Sequence, residues 1–432
     1  MERPRRLWNH NFLLLWNGQL VSQMGTQAFA IAMLFWIKGQ TSSASLVGLV
    51  TVVTTLPAAL LGPIGGTFAD RYSRRAIIIW GDFIRGTISV ALAVLVFWGP
   101  GQAQLILVCM LVSNFIMGAT GSFFRPAITA SIPDIVPEQR ITTANSLNRI
   151  SIDISTLLGL GIGGVLFQLL GAGVLILADG VTYLLAGVSK CFITIPQEIP
   201  EKSAEFREVF AEFGREMLIG LRYVWSKKAL RFFMFLMPFD AFFVTSIVVL
   251  LPFYVEDILG ATPAWYGYLA ASFGAGSVVG SVVAGTLPLR GRVRCIAFLV
   301  SSVIFGLAAG LLGPAPSTWY ALLLIVTAGV TNGFNAIHMV SLIQLTTPAE
   351  LRGRVFGLLE TLSLSATPIA AGMAGIIADL TDQNIPAIYL ASGVALVAVA
   401  VVMMFNSAVR EFLSYEHTSA AGETDATPAA AS

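Results

Sequence analysis

Charge is what this sequence has least of. Asp, Glu, Lys and Arg together make up only 11% of its 432 residues, whereas a soluble chain needs about a quarter to clothe its surface. The shortage excludes a water-soluble globular protein, and a net charge of +1 leaves no electrostatic footprint for a nucleic acid. Cysteine is scarce as well. Cys109, Cys191 and Cys295 lie scattered in apolar segments, an odd number without metal-ligand spacing. Neither a disulfide framework nor a metal cluster is expected, and the three read as small core residues. No nucleophile–base pair and no phosphate-cradling glycine loop appears, which argues against an enzyme and against a nucleotide-driven pump. No signal peptide is expected either, because Arg3, Arg5 and Arg6 precede an apolar segment too long for one and lacking a small-residue cleavage site. No cofactor is called for.

In place of charge there are long apolar runs. Hydrophobic residues form 56% of the chain and the mean hydropathy is +0.80. Windows of roughly 20 apolar residues, enough to cross a bilayer core, recur about twelve times. The fifth and sixth windows fall at about 145–169 and 172–194, with boundaries uncertain by a few residues. An all-α integral membrane protein follows, of twelve transmembrane helices.

The basic residues set the orientation. With the N-terminus inside, the inner loops hold Arg71, Arg74, Arg75, Arg140, Arg290, Arg292, Arg294, Arg352 and Arg354, and the middle loop adds Lys202, Arg207, Arg215, Arg222, Lys227 and Lys228. On the other side only Lys38 is basic, among Glu256, Asp257, Asp379 and Asp382. That asymmetry follows the positive-inside rule and places both termini in the cytoplasm. Four regions result: a first bundle over about 1–195, a cytoplasmic linker over about 196–229, a second bundle over about 230–408 and a disordered tail over about 409–432. In the linker Phe206, Val209, Phe210, Phe213, Met217, Leu221 and Val224 recur at three- and four-residue steps, the pattern of an amphipathic helix lying on the inner leaflet.

Two short stretches are near-copies. Gly66-Thr67-Phe68-Ala69-Asp70-Arg71-Tyr72-Ser73-Arg74-Arg75 returns as Gly285-Thr286-Leu287-Pro288-Leu289-Arg290-Gly291-Arg292-Val293-Arg294. Each lies between two apolar runs, so the chain reads as two homologous halves around a central pathway, the layout of a secondary transporter. The first copy resembles the signature loop of the major facilitator superfamily. Phe124-Arg125-Pro126-Ala127, Pro133-Asp134-x-Val136-Pro137, Ala144-Asn145-Ser146 and Pro348-x-Glu350-Leu351-Arg352-Gly353-Arg354 are similar to its macrolide-efflux and siderophore-export branch, the twelve-span drug–proton antiporters. The resemblance implies two pseudo-symmetric six-helix bundles, alternating access, a proton gradient as energy source and a prokaryotic inner membrane.

It also implies roles. Gly66, Asp70, Arg71, Arg74 and Arg75 would form a conformational latch, with Asp70 reaching the eleventh helix near Arg354. Topology alone is the competing account of these arginines, and Leu289 in place of the carboxylate argues against a matching latch in the second half. Gly159-Leu160-Gly161-Ile162-Gly163-Gly164 is similar to the antiporter motif of the fifth helix, but Leu160 stands where a proline is expected, so close helix packing is an equal explanation.

Ionisable residues inside spans are costly and therefore candidates for function. Asp82 and Arg85, three apart, and Arg149 and Asp153, four apart, can pair on their own helices and read as structural charge pairs. Asp179 and Asp240 have no basic residue within helical reach, so either can serve as the group that trades a proton. His338 is a third coupling candidate. Gln19, Gln23 and Gln27 form a polar stripe, Asn332 and Asn335 another, and Asn114 adds a polar group. In the resembled fold these helices line the cavity, though hydrogen bonding between helices explains each residue equally well. Phe29, Trp36, Phe115, Met237, Phe239, Phe242, Phe243 and Met339 around them suit an amphiphilic substrate, or simply lipid. Export of drug-like compounds or metabolites by a monomer in the bilayer is the leading expectation. A lysophospholipid flippase or siderophore exporter of the same fold, and a non-transporting receptor or scaffold, are the alternatives.

Overall fold

The computed structural model describes residues 6–99, 101–197, 206–287 and 289–416, and every regular element among them is helical. In chain order they are α1 (His10–Thr41), α2 (Ala44–Arg71), α3 (Arg74–Trp98), α4 (Ala103–Ile135), α5 (Ile141–Lys190), α6 (Phe206–Ser226), α7 (Lys228–Phe253), α8 (Ala264–Thr286), α9 (Gly291–Leu311), α10 (Thr318–Thr346), α11 (Ala349–Leu380), α12 (Ile385–Phe405) and α13 (Ser407–Leu413). Among the described residues 11 helices are long and apolar enough to cross a membrane. Their starts follow ordinary capping chemistry. The side chains of Asn9, Ser43, Ser73, Ser317 and Asn384 each accept a backbone N–H from the first helical turn, which satisfies a donor that would otherwise be orphaned.

One of the eleven, α5, runs for 50 residues and is interrupted at Gly171 (φ 75°, ψ 172°). That backbone conformation is open to glycine and strained for residues with a Cβ. The break falls in the gap between the windows 145–169 and 172–194, so the helix has two limbs, 141–170 and 172–190. At the far end of α7, Pro252 precedes a π-helical turn over Tyr254–Ile258, which swings Glu256 and Asp257 toward the end of α1.

The packing has a repeated form. α1 and α3 lie against α5 and α2 against α4, while α8 lies against α10, α9 against α12 and α7 against α11. Between the earlier and later sets the main contacts are α2 with α11 and α5 with α8. Glycine makes both crossings possible. A Cβ on Gly375 would stand 2.5 Å from the Ala44 carbonyl oxygen, and one on Gly164 would stand 2.6 Å from that of Pro263. Gly164 of the fifth-helix motif therefore serves backbone-to-backbone packing, the role small residues play where helices meet in a membrane, while Gly159, Gly161 and Gly163 make room chiefly for side chains of α1 and α8.

Two expected regions differ in detail. Helix α6 is amphipathic, but it is more than a surface helix: Tyr223 donates to the Thr346 carbonyl (3.1 Å) and Val224 is fully buried against α7 and α11. The side chains of 206–213 lie outside the described residues. The tail expected to be disordered from 409 begins instead as α13, because Val409, Phe412 and Leu413 are spaced to bury one face of a short helix. Its continuation from 417 lies outside the described residues.

Candidate functional site

Arg74 organises the signature loop. Its guanidinium donates to Asp134 (2.7 Å), the Ala130 carbonyl (2.8 Å), Asp70 (3.0 Å) and the Ala69 carbonyl (3.1 Å), tying the ends of α2, α3 and α4 together. Gln197 reaches the carbonyls of Ala69 and Tyr72 from beyond α5. The expected partner of Asp70 on α11 is not its partner in this structure. Its carboxylate faces Arg74, and Arg354 forms a two-pronged pair with Glu216 of α6. The Arg354 guanidinium holds the Glu216 carboxyl below the usual carboxylate range. Gly66 has open space where a Cβ would lie.

The tenth residue of each repeat has a common task. Arg75 donates to the Cys191 carbonyl (2.6 Å) just past α5. Arg294 donates to the carbonyls of Leu413 (3.0 Å) and Tyr415 just past α13. Each arginine caps the carbonyl end of the last helix in its set, where a cation meets the negative end of the helix dipole. The second copy keeps this residue while losing the carboxylate.

Deep between α1, α3 and the second limb of α5 lies a cluster of ionisable groups. Asp82 and Asp179 are 0% exposed, Lys190 1% and Arg85 8%. The expected pairing of Asp82 with Arg85 is replaced: Asp82 Oδ2 accepts from Lys190 Nζ at 2.6 Å. Arg85 rests instead on the rings of Phe124 (4.5 Å) and Tyr183 (5.5 Å). Asp179 accepts from the hydroxyls of Ser89 (2.8 Å) and Thr26 (3.5 Å), and Thr26 also meets the Tyr183 hydroxyl at 2.7 Å. Lys190, which sequence reasoning missed, is the pivotal partner. The signal that would find it is a lysine closing an apolar span, near enough to its end to reach back for a buried carboxylate.

The remaining candidates separate by surroundings. Asp240 is half-buried in α7 and carries no hydrogen bond or ion pair among the described residues. His338 is buried, stacks edge-on to Phe334 at 4.5 Å and leaves Nε2 without a partner. Gln23 likewise has a buried, unpartnered Oε1, and Gln19 is buried. Gln27 donates to Thr156 of α5 (3.4 Å). Asn114 joins α4 to α2, accepting from Thr54 (3.0 Å) and donating to the Met110 carbonyl of its own helix (2.9 Å). Asn335 bonds to Ser301 and Ser302 of α9, so it too joins helices. Asn332 is half-buried. Arg149 and Asp153 pair at 3.3 Å on an exposed face.

At the opposite end from the signature loop the two sets of helices are bolted together. Lys38 of α1 donates to Glu256 (2.5 Å) and Asp257 (2.9 Å) beyond α7 and lies 5.2 Å from the Phe253 ring. Asp379 of α11 caps the start of α2, accepting from the Ser43 hydroxyl and from the Ala44 and Ser45 N–H groups, each at 2.9 Å. Gln383 adds a bond to the Ser42 carbonyl.

Helices arranged in this way define a transporter of the major facilitator class. Solved structures agree on the fold. A bacterial homologue of the lysosomal transporter Spinster, in an inward-facing and unoccupied conformation, superposes with a TM-score of 0.68 at 15% identity, covering 95% of this chain and 98% of that one. A D-xylose–proton symporter gives 0.68 at 16% identity, covering 92% and 97%. Among curated proteins, macrolide efflux protein A of Streptococcus pyogenes is 24% identical over 94% of this chain and 98% of its own length. The multidrug efflux pump Tap of Mycobacterium tuberculosis is 25% identical over 93% and 94%. The chain belongs to the major facilitator family of transmembrane secretion effectors, whose profile matches residues 5–427. It is a multi-pass transporter of the bacterial inner membrane and not an enzyme.

Proposed function

We propose that this protein exports amphiphilic, drug-like compounds or metabolites in exchange for protons, as a monomer, by alternating access between two six-helix bundles. The two limbs of α5 on either side of Gly171 supply two of twelve spans, and both termini face the cytoplasm. The observation that carries the reading is the one-sided closure. The ion pairs of Lys38, the Asp379 cap and the glycine crossings join the two sets of helices at one end. At the other end Asp70, Arg74 and Arg75 are tied within their own set. A carrier sealed outside and open inside has this distribution of contacts, and the arginine-rich end is the one the positive-inside rule assigns to the cytoplasm. Full-length similarity to macrolide and multidrug efflux proteins supports export and the substrate class.

Alternation then gives the latch its occasion: Asp70 would leave Arg74 for α11 when the inner end closes and the Lys38 end parts. Half-buried Asp240, Asn332 and Gln27 are the polar groups offered to substrate. The test is uptake of a macrolide or a lipophilic cation into inverted membrane vesicles under an imposed proton gradient. Accumulation abolished by a protonophore is the expected result. Downhill flux insensitive to the gradient would remove the antiport, and no transport of any such compound would remove the export of soluble amphiphiles in favour of lipid substrates or a non-transporting role.

A further inference from the structure

The cluster between α1, α3 and α5 contains two carboxyls with contrasting surroundings. Asp82 is held by the Lys190 ammonium at 2.6 Å, a group that only donates, so this site favours a carboxylate over a carboxylic acid. Asp179 is held by the hydroxyls of Ser89 and Thr26. A hydroxyl donates to a carboxylate or accepts from a carboxylic acid with equal facility, and the Tyr183 hydroxyl behind Thr26 can turn in the same way. The pocket of Asp179 is built to hold both forms.

Arg85 is the remaining charge. It is 8% exposed, and among the described residues its Nε has no partner and it makes no ion pair. One turn along α3 lies Ser89, which binds Asp179, and three residues back lies Asp82, whose Oδ1 is also without a partner. Burying a guanidinium without a carboxylate is costly, so Arg85 has two anionic destinations within reach and occupies neither. Glycine at 121 lets the guanidinium lie close to α4: a Cβ there would come within 3.1 Å of Nη2. The ionisable groups facing Asp179 are Arg85 from α3 and Tyr183 from its own helix, while Lys190, three turns further along that helix, belongs to Asp82. α1 offers only hydroxyls and amides there. α4 offers Gly121 and Phe124, with Arg125 exposed beyond them.

We propose that Asp179 is the group that takes up and releases the exchanged proton, and that Arg85 is its movable counter-charge. This rests on the antiport reading above. In the protonated state Asp179 bonds to Ser89 and Thr26 as a neutral acid and Arg85 turns to the open oxygen of Asp82. Loss of the proton to water breaks the carboxyl O–H bond and leaves a carboxylate, to which Arg85 swings. The swing changes which parts of α3 and α4 are held together. Asp240, half-buried and unpartnered, is left for the substrate.

The test has two arms. Infrared difference spectra of the full-length protein in lipid nanodiscs, taken between acid and alkaline buffer, report protonated carboxyls through their C=O stretch without any substrate. A titrating band is expected in the wild type, absent in Asp179→Asn, retained in Asp179→Glu and moved in its pH midpoint by Arg85→Gln. The second arm is transport: Asp179→Asn should let the accumulation ratio fall to unity while substrate counterflow continues. A titrating band or gradient-driven accumulation that survives Asp179→Asn overturns the assignment. Retention of the band by Asp179→Glu guards against a folding defect. A band with the expected pattern in a wild type that couples no substrate to the gradient would sink the antiport reading and leave Asp179 as a titrating site.

Discussion

Gly267→Ala would place one methyl group where α5 and α8 have no room for it. A Cβ at that position would stand 2.5 Å from the Leu160 carbonyl oxygen and 2.6 Å from that of Gly161. Both obstacles are main-chain atoms of a helix, so no side-chain rotation relieves the contact. Carbon and carbonyl oxygen settle at about 3.3–3.6 Å, and the helices must part by several tenths of an ångström or more to restore that distance. Overpacking of this kind costs about 1–3 kcal/mol. Under the proposed alternation, the better helix propensity of alanine, about 1 kcal/mol, acts in both states and cancels between them. The overpacking falls only on the state closed at the Lys38 end, so the equilibrium should move about 5–150-fold toward the state open there. Spin labels on Leu169 and Tyr268, both exposed, would read the separation of α5 and α8 by pulsed electron resonance. The population at longer distance should grow, and Gly375→Ala on α11, facing the Ala44 carbonyl at 2.5 Å, should act in the same direction. Distance distributions unchanged in both variants would refute the idea that backbone contact through glycine holds this end shut.

Three further outcomes follow from the same geometry. Asp82→Asn leaves the Lys190 ammonium buried and unpaired, which should cost about 3–5 kcal/mol; thermal melting of the purified protein should show a large drop, and the double variant with Lys190→Met should recover most of it. Lys38→Glu should open the Lys38 end by setting three carboxylates together, and Glu256→Lys in the same chain should close it again, as judged by thiol labelling of a cysteine introduced nearby. The bond between Glu216 and Arg354 depends on a carboxyl held below its usual range, so this tie between α6 and α11 is complete above the ordinary carboxylate range and lost as pH falls through the lowered value, while the buried contacts of Val224 persist. Protease cleavage of the middle loop should therefore be flat around neutrality and rise only in acid, and Glu216→Gln should remove that step.

Features that depend on one helix were legible in the sequence, whereas features that depend on which helix stands next to it were not. The break in α5 lies in the gap between the fifth and sixth apolar windows, and Gly171 adopts there the backbone that glycine permits. The stripe of α6 shows its apolar face, but not that α11 would receive it. Asp82 shows the limit most sharply. Its spacing from Arg85 says that the two can meet on α3, yet the partner it takes, Lys190, is 108 residues away. For Asn114 and Asn335 the sequence left cavity lining and bonding between helices equally open, and the bonds they make are between helices, because periodicity places a side chain on a face and says nothing of the helix that face meets. The signature loop sits between these cases. Its repeat was plain, but the repeat was read through the carboxylate that the second copy lacks. The residue both copies retain is the last arginine, Arg75 or Arg294, and each caps the end of the final helix in its set. What the duplication conserves in this chain is therefore first a structural clamp, with the Asp70 carboxylate an addition confined to the first half.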